Sequence, residues 1–410
     1  MALRSLVLSG LLPSSDHRSL LLVCRQWHRI CSAVLFGSRS LLLTSDLCLL
    51  HHIPRRIERS ERLKTVLNRL ATAFRTLKVV RALPAASDEQ LQRVHSEVYV
   101  QMVVSMSSKV ARSMTALDAI RRCEADCADL EAYAAFAVAS PRANRIPTLQ
   151  GKKEYYAQYE FMELGDDSTL MKHTLKAARI AAGGACLAVD KVLTTDVCNV
   201  FCAVRPPGHH AERSRAMGFC VFNNVAVAAM HALEKHGLSR VAIVDVDVHH
   251  GNGTQDLVMK EPRLLYASIH QAAPCFPCTG HSTETGTHGN LLNVPLRARC
   301  TAKHYRERFS TTIVPRVRQF QPELLIVSMG FDGSTRDQLA DFRLEANDFY
   351  WITQQLCTLA WECCDGKLVS VLEGGYHLGA LADGAEQHMR ALIHGSCRPD
   401  GLNLIEKLPN

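Results

Sequence analysis

The chain has 410 residues, of which 47% are hydrophobic, with 47 Lys and Arg against 40 Asp and Glu. This composition excludes a disordered chain, which would be poorer in apolar residues and more one-sided in charge. One long uncharged stretch, residues 216–233, contains Asn223, Asn224 and His231, so the sequence predicts no membrane span. The length allows two ordinary domains or one large α/β domain.

The amino-terminal segment, residues 1–42, is basic. Residues 1–45 contain five arginines, one acid and no lysine, so more than half of the net charge of +7 lies there. This composition resembles a mitochondrial or plastid transit peptide. Residues 20–29 instead resemble the second half of an F-box, which would let residues 12–36 dock on a ubiquitin-ligase adaptor. A third interpretation is a short helical extension that packs on the body or is left mobile.

The charge of the remaining chain is nearly balanced. No basic stripe interleaved with aromatic residues is present, so we expect no direct nucleic-acid binding.

Two regions follow the extension. The stretch at about 105–165 is predicted to be a helical insertion, with a helix at 109–138 and a proline-containing loop. From residue 172, β-rich apolar runs alternate with amphipathic stretches, which predicts strands at 200–204, 241–246, 264–269, 324–329 and 368–372. Helices are predicted at 174–192, 224–236, 302–320, 346–361 and 378–393. We therefore predict a single large α/β domain at 43–395, an open parallel sheet with helices on both faces, and a tail at 396–410.

Polar residues cluster at or just after the ends of four predicted strands. The segments are 205–210 (RPPGHH), 245–253 (DVDVHHGNG), 330–333 (GFDG) and 373–376 (EGGY). Ligands of open parallel sheets bind in the crevice outside the carboxyl ends of the strands, so we expect these segments to converge.

Three residues of these segments form a candidate metal-ligand set. Asp247 and His249 lie two apart on an extended segment, so their side chains project to the same side. Asp332 adds a second carboxylate. One such residue alone would more often be a cap or a satisfied core group. Three at strand ends favour zinc with an open position for water.

Three further residues supply candidate acid–base groups. A stiff turn of two prolines and a glycine precedes His209 and His210, and imidazole has a pKa suited to proton transfer near neutral pH. Tyr376 follows two glycines and could donate a hydrogen bond to an oxyanion. These groups together are typical of metal-assisted amide hydrolysis.

On these motifs, the chain resembles the zinc-dependent histone deacetylase family of the arginase/deacetylase fold, and in particular its class II branch and bacterial relatives. The resemblance covers about 43–393 without the insertion, and it is most specific in 205–229 and 241–256. It implies Asp247, His249 and Asp332 as zinc ligands. It also implies a structural potassium ion near Asp245, Asp247, His249 and Ser268.

The resemblance assigns roles to the acid–base groups as well. His210 would act as general base and acid, with His209 as its electrostatic partner, and Tyr376 would polarise the scissile carbonyl. Asp245 would orient His209. Asn252 would support His210, where class I members have Asp.

The same resemblance implies an acyl-lysine tunnel. Phe219 and Phe276 would form its walls, and the Gly218 carbonyl would face the substrate amide. Asp166 or Asp167 would be a rim acid that holds the substrate backbone.

The amino-terminal part of the resemblance lies in residues 58–63, where Arg62 would line an internal channel. A surface arginine on a first helix is the alternative.

The 16 cysteines have no framework spacing, which favours buried thiols in a reducing compartment. Cys275 and Cys278 form a CxxC without a nearby second pair, so they do not complete a structural zinc site. Cys278 also replaces a glycine usual in the family.

We therefore predict a zinc-dependent lysine deacetylase and chromatin regulator that acts on acetylated proteins such as histones, in the nucleus or cytoplasm, or in a mitochondrion or plastid. One alternative is an acetylpolyamine amidohydrolase. Leu339 occupies a rim position where polyamine-selective relatives can carry an acid, which favours lysine substrates. A second alternative is a non-catalytic scaffold of the same fold.

Overall fold

A computed structural model describes residues 39–52, 56–125, 153, 157, 161–165 and 167–397. The main sheet has eight strands, all parallel, in the order β2-β1-β5-β10-β9-β6-β7-β8. These strands are β1 (Ser40–Thr44), β2 (Lys78–Val80), β5 (Asn199–Ala203), β6 (Val241–Asp245), β7 (Leu264–Gln271), β8 (Leu291–Leu296), β9 (Leu324–Met329) and β10 (Leu368–Leu372). An antiparallel pair, β3 (Met162–Glu163) and β4 (Thr169–Leu170), lies apart from it.

Ten α-helices accompany the sheet in the described ranges. They are α1 (Ser60–Ala73), α2 (Asp88–Gln92), α3 (Glu97–Ala125), α4 (Thr174–Thr194), α5 (Asn224–His236), α6 (Asn252–Val258), α7 (Ala302–Arg308), α8 (Val314–Phe320), α9 (Ala346–Cys364) and α10 (Leu378–His394). A short 3₁₀-helix spans Asp46–Leu50. Helices α9 and α1 both pack on α10, whereas α4 packs on α5. The architecture confirms the predicted α/β domain with a parallel sheet flanked by helices.

The predicted elements from residue 172 onward agree closely with the structure. The bounds of β9, β10 and α5 are those predicted. The helix predicted at 302–320 is present, but one π-helical turn, Phe309–Ile313, separates α7 from α8.

The first part of the chain differs more from prediction. Strand β1 pairs with both β2 and β5, so the folded body includes Ser40 and the predicted boundary after residue 42 falls inside a strand. The prediction of a helix starting at residue 109 was wrong at its beginning, because α3 starts at Glu97. Its predicted end, the extension 1–38 and the tail from 398 lie outside the described residues.

The central strands are buried along their whole length. Every residue of β1, β5, β6, β9 and β10 is buried, as expected for a parallel sheet covered by helices. Within the described part of the chain, no helix has both the length and the apolar character that a membrane crossing requires.

Candidate active site

The four polar segments meet at one edge of the sheet. They follow β5, β6, β9 and β10, which are neighbours in the order β5-β10-β9-β6. Since these strands are parallel, their carboxyl ends lie side by side, and the segments converge as the sequence predicted.

The structure brings Asp247, His249 and Asp332 together as a buried group. Their potential ligand atoms all lie within 4.8 Å of one another. His249 Nδ1 is 3.1 Å from Asp247 Oδ1 and 3.2 Å from Asp332 Oδ2. The Gly374 N–H donates to Asp247 Oδ2, and the Val248 N–H donates to Asp332 Oδ1. The backbone thus holds both carboxylates in place.

This group fits a divalent cation. Burial and the neighbouring Asp247 raise the pKa of Asp332 to about 6, whereas His209 and His249 outweigh burial and lower the pKa of Asp247. A cation between the two carboxylates would remove this like-charge conflict. A Cβ on Gly374 would overlap Asp332 Oδ2, so the glycine lets the backbone approach the carboxylate cradle closely. One nitrogen and two oxygen donors suit zinc.

A hydrogen-bond chain sets the proton position on His210. Asn252 Nδ2 donates to Glu212 Oε1 over 2.7 Å, which turns Asn252 Oδ1 toward His210 Nδ1 at 2.8 Å. Since an amide oxygen can only accept, His210 carries its proton on Nδ1 and leaves Nε2 free. Burial, with His209 and His249 nearby, lowers the pKa of His210 well below its usual 6.5. His210 is therefore neutral and able to act as a base through Nε2.

The surroundings of His209 favour its charged form, whereas those of His210 favour the neutral form. His209 Nδ1 lies 3.1 Å from Asp245 Oδ2, and its Nε2 lies 3.9 Å from Asp247 Oδ1. Burial alone would lower the pKa of His209, but Asp247 and Asp245 raise it to about 10. The Tyr266 hydroxyl also donates to Asp245 Oδ2, which fixes the carboxylate. His209 and His210, 4.0 Å apart between ring centroids, thus hold different charges.

The loop that carries Tyr376 is fixed by Asp337. One carboxylate oxygen of Asp337 accepts the N–H groups of Tyr376 and His377, at 2.6 and 3.0 Å. Burial raises the pKa of Tyr376 well above 10, although Arg62 opposes the shift. Tyr376 therefore keeps its hydroxyl proton and is a hydrogen-bond donor at neutral pH.

Arg62 lies beneath this loop and is fully buried, so the surface alternative for this residue was wrong. Its guanidinium donates to the carbonyls of Gly375 and Glu373 at 2.6 and 2.5 Å, and lies 4.7 Å from the centre of the Tyr376 ring. Glu58 neutralises Arg62 over 2.9 Å.

Aromatic side chains lie on two sides of the histidines. The Phe276 ring meets the His210 ring edge-on at 5.0 Å, and the Phe219 ring lies 5.9 Å from Tyr376. Phe276 is 38% exposed and Leu339 is 37% exposed, so both reach the protein surface. Their roles as tunnel walls and rim stay predictions.

Gly218 has a backbone conformation that favours glycine, and it lies against the ring of His210. Its φ is 56°, and a Cβ there would overlap the imidazole of His210. Its carbonyl, predicted to face a substrate amide, lies 3.3 Å from Cys220 Sγ, which donates to it.

The two predicted rim acids differ in what the structure describes. Asp166 lies outside the described residues. Asp167 is described, but its Oδ1 accepts the N–H of Gly218 at 2.8 Å and the hydroxyl of Ser168 at 3.3 Å. Asp167 therefore braces the loop of Gly218, a contact that the sequence did not suggest, and its role as a rim acid stays a prediction.

Other functional residues were missed by the sequence reasoning. Glu373 Oε2 accepts the N–H groups of Gly208 and His209, at 2.6 and 3.2 Å, and holds the histidine turn against β10. Burial raises the pKa of Glu373 to about 7. Its place in the strand-end motif EGGY was a usable signal, whereas nothing in the sequence paired Glu212 with Asn252 or Asp337 with Tyr376.

A second group with metal-binding atoms, Asp190, His231 and His236, lies elsewhere, with His231 buried and the other two partly exposed. The ammonium of Lys235 already binds both oxygens of Asp190, at 3.1 and 3.2 Å. Gln90 donates to His231 Nδ1, which leaves the His231 proton on Nε2, pointing at Asp190. This group is a satisfied ion cluster between α4 and α5.

Comparisons with known proteins agree with this geometry. Residues 56–392 match the family described as the histone deacetylase domain. The chain is 43% identical over 230 residues to an uncharacterised protein of Synechocystis, covering 56% of this chain and 73% of that protein. It is 38% identical over 241 residues to histone deacetylase 14, chloroplastic, of Arabidopsis thaliana, covering 57% of each chain.

Two further matches extend the comparison. The chain is 34% identical over 354 residues to human polyamine deacetylase HDAC10, covering 84% of this chain and 45% of that protein. The alignments thus span about half the length of these two named relatives. In the solved structures, the HD domain of HDA15 matches with a TM-score of 0.70 and 29% identity, over 87% of this chain and 89% of that one. The chain belongs to the histone deacetylase domain family.

Proposed function

We propose that this chain is a zinc-dependent deacetylase that hydrolyses acyl-lysine amides in proteins. The observation that carries the proposal is the pairing of the Asp247–His249–Asp332 group with a neutral His210 whose free Nε2 is set by Asn252. A metal-ligand group and a poised base at one sheet edge are the parts that amide hydrolysis requires.

The residues of this chain would divide the reaction between them. When bound by Asp247, His249 and Asp332, a zinc ion would polarise the amide carbonyl and acidify a water molecule. His210 Nε2 takes the proton of the attacking water and later delivers it to the departing lysine amine. The hydroxyl of Tyr376 donates a hydrogen bond to the oxygen that becomes negative.

The supporting residues keep these groups in position. Asp245 holds His209 in contact with the His210 ring, and the charge on His209 helps to keep His210 neutral before water is deprotonated. The Phe276 ring packs edge-on against the His210 ring and restricts how that ring can turn. A potassium ion near Asp245 and Ser268 remains a prediction.

The proposed substrate is an acylated lysine side chain of a protein, and the second candidate is an acetylated polyamine. Leu339 is 37% exposed and apolar, so it offers no charge to a second ammonium of a polyamine. The polyamine candidate is supported by the name of the human relative, although that alignment covers 45% of the relative.

The proposal can be tested with acetyl-lysine peptides and acetylated polyamines assayed side by side. Peptides of varied acyl length would show the preferred chain. We expect His210→Ala to lower kcat by about 10²- to 10⁴-fold and Tyr376→Phe by about 10²- to 10³-fold. The exposed His304 and the part-buried Tyr350, changed to Ala and Phe, are the matched controls. Near-normal activity of both site variants would overturn the proposal.

We also propose a location and a partner from the amino-terminal segment. Its Arg-rich composition, together with a relative named as chloroplastic, supports import into a plastid; the nucleus and cytoplasm remain alternatives. Imaging of the full chain with a carboxyl-terminal fluorescent tag would distinguish them.

Binding of a ubiquitin-ligase adaptor by residues 12–36 is tested by copurification of the full chain with that adaptor.

A further inference from the structure

A turn of four residues, 275–278, carries Phe276 between two cysteines. The Cys278 N–H donates to the Cys275 carbonyl over 2.8 Å, which closes the turn. A hydrogen bond of this kind keeps the first and last Cα atoms within about 7 Å. Disulfides span Cα separations of about 4.4–6.8 Å. Joining the two sulfurs therefore requires rotation of side chains and little movement of the backbone.

The two thiols differ in accessibility. Both are free, with Cys278 exposed and Cys275 partly buried. Cys278 has a φ of 65°, in the region that favours glycine, and its Sγ lies 3.5 Å from the Pro274 carbonyl. Neither cysteine belongs to a group of metal-binding side chains in the described part of the chain. The pair is thus a dithiol in which the Cys278 sulfur is the more accessible to a reagent in solution.

The loop around the turn is anchored on both sides. The Ala272 N–H donates to the Leu296 carbonyl at 2.8 Å before the turn. After it, His250 Nδ1 lies 2.8 Å from Thr279 Oγ1, and His270 Nε2 lies 3.0 Å from the Gly280 carbonyl. Any backbone adjustment caused by a new covalent bond would therefore be confined to the turn, which carries Phe276.

We propose that Cys275 and Cys278 form a thiol modification site, at which a small-molecule disulfide of the glutathione class produces an intraturn disulfide. The Cys278 thiolate attacks one sulfur of the oxidant, forms a mixed disulfide and releases one thiolate. The Cys275 thiolate then attacks the Cys278 sulfur and releases the second. Two electrons pass to the oxidant, which leaves as two thiolates, and these take up the two cysteine protons, directly or through solvent, to become two thiols.

The modification acts on substrate binding, a consequence that rests on the proposed function. The Phe276 ring lies 5.0 Å from the His210 ring and 6.3 Å from the His249 ring. Cys278 Sγ must leave the Pro274 carbonyl to reach Cys275, and because the flanking chain is anchored, the small backbone adjustment that accompanies the new bond falls within the turn and moves the Phe276 ring. We expect KM to rise by about threefold to tenfold, with a smaller change in kcat, since one aromatic contact with substrate is weakened.

The experiment treats full-length zinc-loaded protein with oxidised glutathione, then alkylates free thiols and maps peptides by mass spectrometry. We expect a peptide containing Cys275 and Cys278 that is lighter by two hydrogen atoms and not alkylated, and restored by dithiothreitol. Cys275→Ser and Cys278→Ser should remove both the linkage and the sensitivity of KM to oxidation. Cys363→Ser, at a partly buried thiol elsewhere, is the matched control and should retain both.

The peptide map is independent of activity, so it separates this proposal from the proposed function. Alkylation of both cysteines after treatment, or their linkage to other cysteines, would overturn the site itself. A correct linkage with an unchanged KM would overturn its effect on Phe276.

Discussion

The buried carboxylate of Glu58 links the start of α1 to the segment after β5, and we predict that Glu58→Gln destabilises the protein strongly. Both Glu58 oxygens accept from Arg205, at 2.5 and 2.6 Å, and Oε1 also accepts from Arg62 at 2.9 Å. All three side chains have no exposure. Glutamine would leave two buried guanidinium groups without a counter-charge. Removing one partner from a buried ion pair costs about 3–5 kcal/mol.

The assay is equilibrium unfolding in urea at several pH values. Burial alone would raise the pKa of Glu58, but Arg205, His51 and Arg62 lower it well below its ordinary value of 4.5. Such a group adds its stability above about pH 4.5 and loses it as pH falls toward the folded pKa. The difference between wild type and variant should therefore be full at pH 7 and shrink below pH 4.5.

The matched control is Glu362→Gln, at a half-exposed pair with Arg318. A surface pair of this kind contributes about 0–1 kcal/mol. The reasoning would be refuted if Glu58→Gln cost no more than Glu362→Gln at pH 7, or if its cost were the same at pH 3 as at pH 7.

Three further changes test individual contacts of the site. Gly218→Ala should lower kcat/KM by at least ~10²-fold, because its Cβ overlaps His210; Gly289→Ala, at a similar φ of 63° with open space around it, should retain activity. Leu339→Glu should raise kcat/KM for an acetylated polyamine, relative to kcat/KM for an acetyl-lysine peptide, by about tenfold. An unchanged ratio would show that this residue does not determine substrate specificity. Asn252→Asp should raise the pKa of His210, so the acidic limb of the pH–rate profile should move to higher pH; an unmoved limb would contradict the hydrogen bond to Asn252.

The sheet could be predicted wherever a strand is one continuous apolar run. Strands β9 and β10 are buried on both faces, and their sequences show it. Strand β8 was missed because Asn293 and Pro295 interrupt its pattern, which an edge strand tolerates. The metal-ligand group could be predicted because its members stand at strand ends, where parallel topology brings them together.

The supporting contacts could not be predicted, because they join distant residues or backbone groups. Glu58 and Arg205 are 147 positions apart, and no local pattern records their pairing. Asp167 was expected at the rim because an acid in that region fits the resemblance. The structure adds a contact with the backbone N–H of Gly218, which has no sequence signature.

The central claim is that this chain hydrolyses acyl-lysine amides with a zinc ion held by Asp247, His249 and Asp332. The most direct measurement removes metal from the full chain and titrates zinc back, while recording bound zinc and deacetylation of an acetyl-lysine peptide together. We predict that activity rises in proportion to zinc up to one ion per chain, and that Asp332→Asn lowers both. Full activity in metal-free protein, or zinc binding that Asp332→Asn leaves unchanged, would contradict the account.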